Sequence, residues 1–202
     1  MQKKIAQAIS IIFHPSLMPT LGILILFNSD TYFDFLRYDI KKILFILIFI
    51  STFVLPITFI PFYYFQKLIK SINMATRRER VIPFLLTLIM YLFCYSLLIK
   101  IGAPLLIKRY ILFSSIILAL LLLSLIKWKF SVHMAGSGGL AGGILAMSML
   151  LNVNLSLYFM LSILVSGLIG YSRLQLQAHK SYEIYAGWFI GAVTVFSGLY
   201  FF

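Results

Sequence analysis

The sequence predicts an all-α protein, a polytopic bundle of six to seven transmembrane helices. Of its 202 residues, 62% are hydrophobic and only 11% are charged, far from the composition of a soluble globular domain. Apolar runs of about 20 residues recur along nearly the whole chain, and each is long enough to cross a hydrocarbon core of roughly 30 Å as a helix. No soluble domain, low-complexity linker or internal repeat interrupts them, so we expect a single transmembrane domain over residues 1–202.

Seven candidate spans follow from the hydropathy pattern. In chain order they lie at 8–27, 41–65, 83–99, 109–126, 134–151, 155–171 and 184–202. The first is the weakest because it contains Pro15 and Pro19, and as a re-entrant or interfacial segment it would leave six spans. Lys3 and Lys4 precede it as in a signal peptide, but no small-residue cleavage site follows, so we expect the segment to be retained.

The net charge of +12, from 17 Lys and Arg against five acidic residues, has an explanation in the membrane. Basic residues beside spans set topology and contact the headgroups of bilayer lipids, so we expect no nucleic acid partner. The balance of basic residues between the two faces depends on whether the first segment crosses. The pattern therefore leaves open which face of the membrane carries a site.

Three polar clusters, at 70–83, 127–133 and 172–183, interrupt the apolar runs. Two spans separate each cluster from the next, so all three emerge on the same membrane face. This parity lets four side chains converge although they are far apart in sequence: Arg80, His133, Arg173 and His179. Arginine binds phosphate oxygens with a planar fork of donors, and histidine can attack or transfer a proton near neutral pH. The set is suited to phosphoryl transfer through a covalent phosphohistidine.

The third cluster, at 172–183, resembles the third signature of the type 2 phosphatidic acid phosphatase family. Members of this family are integral membrane enzymes that act on lipid phosphates. The family pattern is Ser-Arg, five residues, His, three residues, Asp. This chain has Ser172, Arg173, His179 and Glu183 at that spacing. Only the last position departs, because glutamate stands where the family has aspartate.

Two further stretches resemble the other signatures less closely. "FSVH" at 130–133 resembles the second, Pro-Ser-Gly-His, and keeps Ser131 and His133. The first signature is Lys, six residues, Arg-Pro, for which Lys70 with Arg77 has the spacing but lacks the proline. Arg80 lies three residues before a proline and lacks the lysine, and we favour it over Arg77. The resemblance covers about residues 70–191.

The resemblance implies a function and a set of roles. His179 would attack phosphorus, His133 would protonate the leaving oxygen and later help to activate water, and Glu183 would orient His179. The phosphate would be held by a larger set: Arg173, Arg80 and Ser131, with Arg77, Lys70 and Ser172 as further candidates. No metal or other cofactor is implied. The substrate would be the phosphate monoester or pyrophosphate of a membrane lipid, such as phosphatidic acid, phosphatidylglycerol phosphate or a polyprenyl phosphate, in a bacterial inner membrane.

Two alternatives stay open at this point. Glu183 is one methylene longer than aspartate and could overshoot the imidazole, and the first signature is degenerate, so the protein could be a catalytically weak relative that only binds lipid phosphate. A small transporter is the other alternative, in which Arg173, His179 and Glu183 form an ion or proton pathway.

Two remaining features have structural explanations. The glycines of "AGSGGLAGG" at 135–143 are spaced four apart, as are Gly187 and Gly191, and this spacing suits close helix packing rather than nucleotide binding. We expect the glycines to bring together the helices that follow the second and third signatures. His14, beside Pro15, matches no signature and is not assigned to the site.

Overall fold

The computed structural model describes residues 1–69 and 76–202, and within these ranges every long element is a helix. The helices are α1 (Gln2–Ile12), α2 (Met18–Phe27), α3 (Tyr38–Phe49), α4 (Leu55–Phe65), α5 (Arg77–Lys100), α6 (Leu105–Ser124), α7 (Val132–Leu151), α8 (Ser156–Gln175) and α9 (Ser181–Tyr200). A 3-10 turn joins α1 to α2 and a π turn joins α3 to α4. The prediction of an all-α bundle is confirmed.

Six helical segments in the described part of the chain are long and apolar enough to cross a membrane. They are Gln2–Phe27, Tyr38–Phe65, Arg77–Lys100, Leu105–Ser124, Val132–Leu151 and Ser156–Gln175. The last helix, α9, has 20 residues but carries Glu183 in its first turn, and it is not among the six. Six spans with a seventh packed helix therefore describe the bundle.

The first segment is the candidate span that the sequence marked as the weakest. Gln2–Phe27 is among the six candidate spans, because its two prolines lie where helices begin rather than inside them. Pro15 opens the 3-10 turn and Pro19 lies in the first turn of α2. At such positions the missing N–H would have no intrahelical partner anyway. The prolines thus break the span into two helices without removing it.

Several helices extend beyond the apolar runs from which they were predicted. The helix expected from residue 83 begins at Arg77, and the one expected to end at residue 171 continues to Gln175. A helix does not need apolar side chains outside the hydrocarbon layer, so hydropathy underestimates its length. As a result Arg80 and Arg173 lie on helices, and the helix backbone sets the direction in which each side chain leaves it.

Helices α7 and α9 pack with their backbones in close approach, as the glycine spacing predicted. A Cβ on Gly138 would collide with the carbonyl oxygen of Trp188, and one on Gly191 would collide with the carbonyl oxygen of Ala135. One on Gly187 would lie 2.8 Å from the carbonyl oxygen of Ser131. Only glycine allows this separation, and the prediction about these helices is confirmed.

Candidate active site

Side chains from three helices and one connection face a common cavity of about 420 Å³. Arg80 comes from the first turns of α5, His133 from the start of α7, Arg173 from the end of α8, and His179 from the connection between α8 and α9. Each of these points lies at the same end of the bundle because successive helices run in opposite directions. The convergence expected from the number of intervening spans is therefore observed.

His179 is hydrogen-bonded to the carboxylate of Glu183, four residues further along the chain. Its Nδ1–H donates to Oε2 of Glu183 at 2.9 Å and to the carbonyl oxygen of Lys129 at 3.0 Å. The same Oε2 accepts from the backbone N–H of Lys180 at 3.1 Å, so the glutamate folds back over the N-terminus of α9. The longer side chain reaches the imidazole without overshooting it.

The environment of His179 keeps its imidazole neutral. Burial, together with the charges of Arg80 and Arg173, lowers the pKa of His179 from 6.5 to about 4, although the hydrogen bond and charge of Glu183 act to raise it. The bond to Glu183 therefore joins an uncharged ring to a carboxylate and is not an ion pair at neutral pH. With its proton on Nδ1, the ring keeps a lone pair on Nε2, which is the form that a nucleophile requires.

Two arginines, Arg80 and Arg173, line the cavity end that contains His179. Arg80 is only 5% exposed, and the charges of Arg173, Glu183 and Glu79 act on it. Nε of Arg173 is buried and has no hydrogen-bond partner in the described part of the chain. Buried guanidinium groups need an anion or acceptors to offset their lost hydration. This end is suited to an anion with several oxygens, as phosphate is.

Lys129 adds a further positive charge beside this end. Its pKa is lowered by partial burial and by the neighbouring Arg80, and its carbonyl oxygen is an acceptor for His179. The sequence placed Lys129 within the second polar cluster but did not select it as a site residue, because lysines near a span are ordinary.

His133 contributes one bound nitrogen and one unpartnered nitrogen. Its Nε2–H donates to the carbonyl oxygen of Ser10 at 3.2 Å, which fixes the proton on Nε2. Its Nδ1 is buried and lacks a partner among the described residues. The lone pair of a neutral His133 is therefore on Nδ1, where it can accept a proton.

Three other predicted phosphate ligands in the described part of the chain, Ser131, Ser172 and Arg77, do not line the cavity. Ser131 is fully buried, and its backbone N–H donates to the carbonyl oxygen of Glu183 at 3.1 Å. Ser172 donates to the carbonyl oxygen of Ala6 at 2.6 Å and so ties α8 to α1. Arg77 donates to the carbonyl oxygens of residues 126 and 127 at 3.2 and 2.8 Å. Lys70 lies outside the described residues.

Ser10 and His14 of the first span were missed by the sequence reasoning. Both line the cavity, and the ring of His14 lies edge-on to that of His133, with 5.9 Å between centroids. No signature contains either residue. The available signal was a histidine directly before a proline in an apolar span, where the helix must break and expose a polar side chain.

Beyond its charged end the cavity continues among apolar side chains. The face of α5 that lines it runs from Arg80 to Tyr91, eleven residues or about 16 Å along a helix. The opposite walls supply further apolar groups, among them Phe53, Ile57, Ile117, Leu121 and Leu140. A charged end and a deep apolar part together fit an amphiphile with a small anionic group.

Comparison with models of known protein families, with curated proteins and with solved structures found no match to this chain.

Proposed function

We propose that the protein is an integral membrane phosphatase that hydrolyses the phosphate monoester or pyrophosphate of a membrane lipid through a phosphohistidine on His179. One observation carries the proposal. A neutral, carboxylate-bound imidazole faces a cavity that is also lined by Arg80, Arg173 and His133 and is apolar beyond them. The resemblance of the sequence to the type 2 phosphatidic acid phosphatases, whose signatures contain these residues, adds support.

In the first step the phosphate binds between the two arginines. Nε2 of His179 attacks phosphorus, and the bond from phosphorus to the leaving lipid oxygen breaks with its electron pair on that oxygen. The bound dianion favours the protonated form of His133, which gives its Nδ1 proton to the leaving oxygen while its Nε2–H stays on Ser10. Glu183 stabilises the positive charge that develops on the ring of His179.

In the second step water replaces the lipid. Nδ1 of His133, now neutral, takes a proton from the water, and the hydroxide equivalent attacks phosphorus. The bond from phosphorus to Nε2 of His179 breaks, and inorganic phosphate leaves. Arg80 and Arg173 hold the equatorial oxygens in both steps, and losing one such contact is expected to lower the rate about a hundredfold.

The apolar part of the cavity supports a lipid substrate rather than a soluble phosphate ester. Its lining between α4, α5 and α6 can accept an apolar chain while the phosphate stays at the charged end. Phosphatidic acid, phosphatidylglycerol phosphate and polyprenyl phosphates or pyrophosphates all have this form. By the same resemblance, we assign the protein to the inner membrane of a bacterium.

The test is phosphate release from a panel of these lipids by the purified protein in detergent. We expect release by the wild type, an acid-labile phosphate on His179 in quenched reactions, and neither with His179→Ala. Lys108→Ala, away from the cavity, is the matched control and should keep wild-type activity. Equal release by wild type and His179→Ala would refute the mechanism. Binding without release would indicate a lipid-phosphate-binding protein. Ion flux after reconstitution into sealed vesicles, without release, would indicate a transporter.

A further inference from the structure

The break in the first span lies at the candidate active site. A residue before proline is disfavoured in the helical conformation, and His14 has an extended backbone, with φ −62° and ψ 136°. Helix α1 therefore ends before it, and a new helical turn begins after it. The side chain of His14 lines the cavity at this break.

Helix α1 is attached to the site by residues of the second and third signatures. The hydroxyl groups of Ser10 and Ser172 are joined by a hydrogen bond, with 2.8 Å between the oxygens. The hydroxyl of Ser10 also accepts a hydrogen bond from the guanidinium of Arg173 at 3.4 Å. Its carbonyl oxygen accepts from His133 at 3.2 Å. Three residues, Ser172, Arg173 and His133, thus hold the first span against the phosphate-binding end. His14 follows Ser10 by four residues.

The ring nitrogens of His14 have defined roles. Its Nδ1 accepts a hydrogen bond from the backbone N–H of Ser16 at 3.3 Å. A nitrogen that accepts carries no proton, so the proton of the neutral ring is on Nε2. His14 therefore offers a donor, whereas neutral His133, with Nε2–H bound to Ser10, offers only a lone pair.

The ring of His14 is near one residue of the charged part of the cavity and one of the apolar part. Its centroid lies 5.9 Å from that of His133 and 6.3 Å from that of Phe53. In a lipid phosphate the oxygen that joins phosphate to the apolar chain likewise adjoins both the charged group and the apolar group. This oxygen is the leaving atom of the proposed reaction.

We propose that His14 is a third catalytic histidine, which donates a hydrogen bond from Nε2–H to the leaving oxygen. The inference rests on the proposed function. As Nε2 of His179 bonds to phosphorus and the ester bond breaks, negative charge accumulates on the leaving oxygen. His133 delivers the proton to that oxygen, while His14 stabilises the charge by its hydrogen bond and keeps its own proton.

The dependence of the rate on the leaving group tests this role. An alkoxide is strongly basic and needs stabilisation, whereas p-nitrophenolate spreads its charge over the ring and needs little. We expect His14→Phe to lower kcat/KM for octyl phosphate about a hundredfold and to change the value for p-nitrophenyl phosphate little. His14→Gln, whose amide restores a donor, should recover part of the loss. Phe13→Leu alters the residue next to His14 in the chain, which does not line this cavity, and should leave the ratio of the two kcat/KM values unchanged.

The results separate the two proposals. If His179→Ala abolishes release but His14→Phe slows both substrates equally or neither, His14 has no role at the leaving oxygen and the proposed function stands. If the wild type releases phosphate from neither these two substrates nor the lipid panel, both proposals fail. Should His14→Phe not fold, His14→Leu, which also lacks a donor, makes the same test, and equal changes in kcat/KM for the two substrates in that variant would overturn the inference.

Discussion

At His179, burial and a carboxylate act in opposite directions on the pKa of one imidazole. Burial and Arg80 lower this pKa, while the hydrogen bond and charge of Glu183 raise it, and the result is about 4. The ring is protonated below that pH and neutral above it. At neutral pH the lone pair on Nε2 is therefore available without prior loss of a proton. In the proposed mechanism Glu183 orients the ring and stabilises the charge that the ring acquires when it attacks.

The titration of His179 can be measured from the ring nitrogen chemical shifts of the labelled protein. We expect His179 to stay neutral as the pH falls through 6.5 and to titrate near 4. Glu183→Gln removes a group that raises the pKa, so the titration should shift to lower pH, and activity should fall about thirtyfold for a loss of about 2 kcal/mol. His179→Ala identifies the signal, and the exposed neighbour variant Tyr182→Phe should behave as the wild type. A pKa near 6.5, or a rise in Glu183→Gln, would contradict this account.

The packing of α7 on α9 sets the separation of the two signature histidines. His133 lies in the first turn of α7, and His179 lies two residues before α9. The glycines allow the helix backbones to touch, and the N–H of Ser131 bonds to the carbonyl oxygen of Glu183 across the same contact. A change of one methyl group in this contact therefore alters the site as well as the stability of the bundle.

Gly191→Ala tests this coupling against Gly167→Ala. The new methyl group at Gly191 would collide with the carbonyl oxygen of Ala135, whereas nothing lies within 4 Å of a Cβ at Gly167. We expect the first variant to lose about 1–3 kcal/mol of stability together with most of its phosphatase activity. The second should unfold at the same or a higher temperature, since alanine favours helix, and remain active. Thermal unfolding in detergent measures the stability of each variant, and phosphate release measures its activity. If the two variants had the same stability and the same activity, the coupling would be excluded.

Across the whole molecule, the alternation of helix direction places the signature segments at one end of the bundle. The connections before α7 and before α9 lie at this end, and those before α6 and before α8 lie at the other. A lipid phosphate in one leaflet can meet the charged end while its chain follows the apolar cavity, which extends about half of a 30 Å hydrocarbon core.

Single cysteines in a Cys94→Ala background test this arrangement. Residues Lys127 and Gln177 are exposed at the signature end, and Ile101 and Asn154 are exposed at the other. In sealed vesicles, a membrane-impermeant maleimide should label cysteines at the first two positions from one side and at the last two from the opposite side. Labelling of 127 and 177 from different sides would contradict the common site. Cys94 itself is buried, so removing it should not change activity.

The sequence by itself determined the all-α membrane class, the glycine contact between two helices, and the common face of Arg80, His133, Arg173 and His179. These follow from composition, from small-residue spacing and from the number of spans between clusters, which are properties of the chain read in order. The family resemblance also selected the pair His179 and Glu183, which meet because Glu183, in the first turn of α9, reaches back to the imidazole.

Only the tertiary structure decided the remaining features of the site. It brought Ser10 and His14 to the cavity and placed Ser131 outside the cavity lining. It directed the side chains of Ser172 and Arg77 to backbone carbonyl oxygens, and it showed that Glu183 reaches the imidazole. Periodicity describes one helix at a time, whereas these outcomes depend on which helix packs beside which. The first span could be placed in the site only when its hydrogen bonds to α7 and α8 were known, because no local pattern encodes a contact between residues more than 100 positions apart.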